Sequence, residues 1–238
     1  MTERFSLNVN GKEHMVEADP DMPLLYALRN DLGLNNPKFG CGLAQCGVRL
    51  RHVKHPRDIA VIKAAAERVG WEKRSSPRKG QSGPKVSGRG IAYAQRNGTR
   101  CAVVAEVDVD RESGKIFAGK FTVAHDCGQV INPMGLRHTI EGNIVQGLSR
   151  TLWEEVQFDA KSVTSVDWMT YPILDIVDTP AEIDCVLIDR PDVAPSGAGE
   201  PSMRPLSGAI ANAVFDATGV RIRRVPFTPE RVKAAFSA

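Results

Sequence analysis

A chain of 238 residues, 42% apolar and 25% charged, has the make-up of a folded globular protein, with room for one large domain or two small ones. It has no apolar run of about 18 residues to cross a bilayer, and its start, "MTERFSLNVNGKEHMVEADPDM", lacks the basic-then-apolar order of a secretory leader, so a cytoplasmic protein is expected. The net charge of +3 hides an asymmetry: Arg49 to Arg100 holds 14 Lys and Arg against 3 acids, a balance of +11, which leaves −8 for the rest. That basic stretch has few aromatics to stack on bases, so a solvated linker is expected there, with neither nucleic acid nor membrane as partner.

The first segment, 1–48, opens with Phe5, Leu7 and Val9 alternating with polar residues before Asn10-Gly11. A second apolar run with Met15 and Val16 follows, which predicts a β-hairpin. "DPDMPLLYALRNDLGL" predicts a short helix with Leu24, Leu25 and Leu28 on its apolar face and Gly33 at its end. "KFGCGLAQCG" then places Cys41 and Cys46 four residues apart, the opening of a C-x₄-C-x₂-C iron–sulfur ligand run. The third cysteine of that run would stand at 49, where the chain has Arg49. Cys41, Cys46, His52 and His55 also form a candidate zinc set, with a much shorter spacer than a classical finger. Five scattered cysteines do not read as a disulfide framework.

The second segment, 49–90, predicts one helix, "PRDIAVIKAAAERVG". Pro56 lies in its first turn, Ile59, Ile62, Ala66 and Val69 recur at helical spacing, and Gly70 stops it. The Ser, Pro, Gly and cation-rich run after Trp71 reads as a linker.

The third segment, 91–238, is long enough for a domain. "CAVVAEVDVD" and "KIFAGKFTVAHDCG" predict two strands joined at "RESGK". Asn132-Pro133 open a helix in which Ile140, Ile144, Leu148 and Leu152 repeat every four residues. "AEIDCVLIDRPD" predicts a strand, and "MRPLSGAIANAVFDATG" a helix stopped by Gly219. Strands and helices mix without a βαβ period, so the fold class is α+β.

Two stretches carry candidate chemistry. Glu200 lies in the glycine loop "SGAGEPS", between a strand and a helix, where Gly197 and Gly199 let backbone pass close to a ligand; an acid there can serve as a general base. The plainer reading is an acid that stabilises only the helix N-terminus. In "EGNIVQG", Glu141, Gly142, Gln146 and Gly147 combine polar groups with two glycines inside a helix. That suits close approach of a polar cofactor or, equally, tight helix packing. Cys127, His125 and His138 read as structural.

At these residues the chain resembles the molybdenum hydroxylases, the xanthine dehydrogenase and aldehyde oxidase group, and among them two-subunit bacterial members such as isoquinoline 1-oxidoreductase. Residues 5–47, with "NVNGK", "PLLYALRNDLGL" and "KFGCGLAQCG", resemble the start of the small [2Fe–2S] subunit. Residues from about 56 to 238 resemble the C-terminal end of the molybdopterin-binding large subunit through "GRGIAYAQ", "HDCGQVINP", "IEGNIVQGL" and "GAGEPSMRPLSGAIANAVFDATG". The resemblance implies a partial β-grasp ferredoxin-like segment followed by a molybdopterin-binding α+β domain, the two likenesses meeting near Arg49 in a truncated fusion. It implies a molybdopterin cytosine dinucleotide with molybdenum and a [2Fe–2S] cluster whose site, at Cys41 and Cys46, is incomplete. It implies hydroxylation of aldehydes or N-heterocycles, with Glu200 as base, Gly197, Gly199, Glu141, Gly142, Gln146 and Gly147 beside the cofactor, and electrons leaving through iron–sulfur clusters. Thr139 stands where relatives often have glutamine. Activity is expected to be impaired in this chain, and a complementing oxidoreductase subunit is a candidate partner. The competing expectation is a non-catalytic zinc- or nucleic-acid-binding module built on the Cys/His run and the basic stretch.

Overall fold

Phe5 and Leu7 do lie on a strand: β1 (Glu3–Val9) pairs antiparallel with β2 (Lys12–Ala18), Phe5 opposite Val16 and Leu7 opposite His14. Arg4 Nε meets Glu17 at 2.7 Å across this hairpin. The computed structural model describes residues 3–9, 12–18 and 53–236, and the chain divides into two units, Met1–Phe39 and Gly40–Ala238. Cys41, Cys46, His52 and the helix expected around Leu24 lie outside the described residues.

The second unit begins with α1 (Pro56–Arg68), which has Pro56 in its first turn and is capped by His55, whose Nδ1 accepts from the Arg57 N–H at 3.2 Å. A four-stranded sheet follows in the order β3 (Lys85–Arg96), β4 (Thr99–Asp110), β5 (Ile116–Asp126) and β6 (Glu182–Leu187). The first three strands form an antiparallel meander, and β6 runs parallel to β5. Between β5 and β6 runs α2 (Pro133–Leu152), its N-cap Asn132 accepting from the Gly135 N–H at 2.9 Å. After β6 come α3 (Leu206–Thr218), ended by Gly219, and α4 (Pro229–Phe236). The architecture is α+β with a mixed sheet.

Residues 85–90, which read as linker, are the first half of β3. Their Ser, Gly and Lys content hides them, but the pairing with β4 runs unbroken from Lys85↔Asp110 to Arg96↔Thr99. The turn between the two strands is Asn97-Gly98, both at positive φ (47° and 88°), which is the hairpin signal the sequence carries at this point.

Each sheet face has its own core. On one side Val61, Ile62 and Ala65 of α1 pack on Ile91, Ala102, Val104 and Ala124. On the other, Ile140, Ile144 and Leu148 of α2 and Leu206 and Ile210 of α3 pack on Val103, Phe121 and Val123. The four-residue repeat of α2 is buried in full, as its spacing predicts. Helix α3 lies directly on β3 because Gly88 and Gly90 present no side chain. A Cβ on Gly90 would stand 2.1 Å from the Ala209 carbonyl oxygen and 2.2 Å from the Ala213 nitrogen.

Part of the charge asymmetry is matched within this unit. Arg57, Arg68, Arg74, Arg89 and Arg96 of the basic stretch pair with Asp126, Asp184, Asp216, Glu106 and Glu200 of the acidic remainder.

Candidate functional site

The β3–β4 turn, the end of β5 and the end of β6 all lie at one end of the sheet. Three separate stretches are tied together there. The loop after β6 donates from the Ser196 N–H to the Cys127 carbonyl at 2.8 Å. The Thr99 hydroxyl, at the start of β4, lies 2.6 Å from that of Ser196 and donates to the Gly197 carbonyl at 2.8 Å. Gly128, at φ 84°, lets the turn after β5 press against this loop; a Cβ there would stand 2.4 Å from the Ala194 carbonyl oxygen. From α2, the Asn143 amide donates to the Ala198 carbonyl at 3.2 Å and to the Ser202 hydroxyl at 2.9 Å. The motifs "HDCGQVINP", "EGNIVQG" and "GAGEPS" therefore converge on one junction.

Asp126 is the buried strut beneath it. Its carboxylate takes Arg57 Nε at 3.1 Å, Arg190 Nε at 2.5 Å and the Gly128 N–H at 3.1 Å. Burial by itself would push this carboxyl up, but the two guanidiniums and the N–H outweigh it and hold Asp126 below the usual carboxylate range.

On the surface of the junction the predicted site residues take different places. Glu200 is about half exposed and forms an ion pair with Arg96 at the end of β3. Gly197, Gly199 and Gly142 have no heavy atom within 4 Å of where a Cβ would stand. Thr139, Gly142, Gln146 and Arg150 form one stripe along the outer side of α2. Arg150 reaches Met203 Sδ at 3.7 Å, while the Met203 N–H donates to the Glu200 carbonyl at 3.1 Å, so the stripe abuts the Glu200 turn. Glu141 is half-buried beside the stripe. Gly147 instead faces inward: a Cβ there would stand 2.7 Å from Leu206 Cδ2 and 2.9 Å from Met203 Cγ. Thr139 is satisfied within the helix, donating to the Gly135 carbonyl at 2.9 Å.

Sequence reasoning missed Asn143, Thr99, Arg96 and Asp126. Asn143 had a signal, being a polar residue next to Ile144 within the apolar stripe of α2. The partners of Thr99 and Arg96 are about a hundred residues distant, and no local pattern announces them. The described cysteines are buried: burial pushes the Cys127 thiol up and Cys185 up to about 11, the reverse of what a nucleophile needs. No group of three metal-ligating side chains occurs among the described residues.

Residues 57–180, just over half of the chain, match the molybdopterin cofactor-binding domain family. One of the subunits of nicotinate dehydrogenase from Pseudomonas putida is 41% identical over 207 residues, 83% of this chain and 17% of that protein. The beta subunit of isoquinoline 1-oxidoreductase from Brevundimonas diminuta is 31% identical over 182 residues, 76% of this chain and 22% of that protein. The crystal structure of quinoline 2-oxidoreductase from Pseudomonas putida 86 superposes with a TM-score of 0.55 at 31% identity, covering 58% of this chain and 19% of that one. The chain spans about a fifth of the length of these relatives. The likeness to molybdenum hydroxylase large subunits carried by the motifs is thus borne out, and the chain belongs to the molybdopterin cofactor-binding domain family.

Proposed function

We propose that this chain is the Glu200-bearing module of a molybdopterin-dependent oxidoreductase that hydroxylates an aldehyde or an electron-poor N-heterocycle. The observation that supports it best is the junction itself. Asn143, Thr99 and Ser196 fix a glycine loop whose backbone is bare at Gly197 and Gly199 and whose Glu200 is exposed next to the α2 stripe. Bare main chain beside polar side chains fits a large, polar cofactor such as molybdopterin cytosine dinucleotide.

Backbone at Gly142, Gly197 and Gly199, with Gln146 and Glu141, would hold the cofactor. Gly147 would contribute from behind, by letting Leu206 seat the loop against α2. The molybdenum centre supplies the two-electron oxidation when bound. Glu200 supplies the base: its carboxylate oxygen takes the proton from the attacking oxygen as that oxygen adds to the substrate carbon. Arg96 holds that carboxylate in the free chain, and an exposed pair of this kind opens for on the order of 1 kcal/mol or less. Residues 91–238 then form the cofactor domain together with α1 and the first half of β3, which complete its sheet and one of its cores. The resemblance of residues 5–47 to a [2Fe–2S] small subunit supports electron exit near Cys41 and Cys46, in a β-grasp segment that begins with the β1–β2 hairpin. The rest of the site would come from a complementing oxidoreductase subunit.

Co-production with such a subunit, followed by elemental analysis and turnover assays, tests this. Molybdenum near one per chain is expected. Glu200→Gln should keep that metal and lower turnover by about 10²–10⁴-fold. Unchanged turnover would remove Glu200 from the mechanism, and zinc without molybdenum would favour the Cys/His module.

A further inference from the structure

The stretch from Val156 to Val177 is unusually apolar for a surface. Of the 14 exposed large apolar side chains among the described residues, 9 lie within it. Phe158, Val166, Trp168, Met169, Ile176 and Val177 are each at least 75% exposed. Monomeric surfaces rarely concentrate apolar groups in this way unless they meet a partner. The stretch is also held in shape rather than trailing. Leu174 N–H donates to Ser149 Oγ at 2.9 Å, the Tyr171 hydroxyl to Glu154 at 2.9 Å, and Ala181 N–H to the Gly119 carbonyl at 2.9 Å. It falls inside the 57–180 family match, so it is an integral part of the cofactor-binding domain.

Its charges narrow the choice of partner. Asp159, Asp167, Asp175 and Asp178 are interleaved with the apolar residues, Lys161 is the single cation between 156 and 177, and none of these four acids forms an ion pair among the described residues. A two-fold dimer through this face would set aspartates against aspartates. An anionic bilayer would repel them. The complement is a protein surface with an apolar centre and a Lys/Arg rim. Relatives of this chain are about five times its matched length, so in them this domain is embedded in much more polypeptide.

We propose that residues 156–177 are the face on which this chain docks the polypeptide that completes the oxidoreductase, through an apolar centre ringed by cations on that partner. This rests on the function proposed above.

The probe is the 41%-identical protein from Pseudomonas putida nicotinate dehydrogenase with the stretch that matches this chain removed. The full chain should form a 1:1 complex with it by light scattering, with hydrogen exchange slowed at 156–177. The triple variant Trp168→Ser, Met169→Ser, Ile176→Ser should bind at least about a hundredfold more weakly, yet melt at the temperature of the parent chain. Asp167→Lys with Asp175→Lys should weaken binding too. A complex indifferent to the triple variant, protection elsewhere, no complex with a folded probe, or a self-dimer that the variant abolishes would each overturn the proposal.

If the shortened probe does not fold, residues 57–236 are grafted into its gap. The triple variant should then lower the melting temperature of the graft but not that of the free chain, and equal melting of the two grafts overturns the proposal. The two readings fail separately. A graft destabilised by the triple variant but empty of molybdenum faults the cofactor reading, whereas one that carries molybdenum and ignores the variant faults the surface.

Discussion

His125 is fully buried on β5, and among the described residues neither of its ring nitrogens meets a hydrogen-bond partner. Burial lowers its pKa from 6.5 to about 4, the nearby Asp126 opposing only weakly. Between those values the unfolded chain takes up a proton that the folded chain refuses. Its contribution to stability is complete above pH 6.5 and is lost as pH falls toward 4, by up to about 3 kcal/mol. Urea melts across that range should show this slope, and His125→Phe should flatten it; identical slopes would sink the account. Asp126 works in the opposite manner, as a charge that must stay. Asp126→Ala leaves Arg57 and Arg190 facing each other without a counter-ion and should cost about 3 kcal/mol by denaturant titration. Asn143→Ala removes the donor to the buried Ser202 hydroxyl and the Ala198 carbonyl, and should cost about 1–3 kcal/mol and speed amide exchange most across residues 195–202, because it frees the glycine loop from α2. The loop alone marked Glu200 as no more than a candidate, and the family resemblance singled it out. The struts that position it were not legible, since each is a pair joined only by the fold.

At the scale of elements, periodicity did well where burial is one-sided. The buried repeat of α2 follows its apolar spacing; in α1 only Ile62 of the four expected positions is fully buried, beside Val61 and Ala65; and β4 and β5 stand out as apolar runs because both of their faces are covered. Strand β3 escaped because its packing depends on what is missing: Gly88 and Gly90 look like loop residues until α3 is laid over them. Valine at position 90 should show this. With backbone atoms of α3 within about 2.2 Å of the new Cβ, Gly90→Val should displace the helix and cost several kcal/mol, seen as loss of the cooperative thermal transition. Gly119→Ala is the control within the same sheet; its Cβ would meet nothing within 4 Å, and its melting curve should overlay the parent's.

For the whole molecule, composition misled in one respect. A stretch of +11 looks like a solvated or nucleic-acid-binding segment, yet five of its arginines are matched to acids spread from Glu106 to Asp216. Composition reports charge but not distance, so a basic run that holds a fold together looks the same as one that reaches outward. The site is likewise a property of the whole, drawing on residues from Arg96 to Ser202 that meet only at one end of the sheet.

The parallel alignment of β6 has a consequence for the order of events in folding. The β3–β5 meander closes through short turns, whereas Glu182 must find Lys120 across a long excursion that contains all of α2. Loop-closure entropy and high contact order make that pairing late. The loop bearing Glu200 hangs from the far end of β6, so it is expected to be the last part of the site to arrive. Pulse-labelled exchange during refolding should find β4 amides protected before those of β6. A chain caught midway would then carry the three-stranded meander without β6 or the Glu200 loop, which makes the refolding clock a direct reading of when that end of the sheet is assembled.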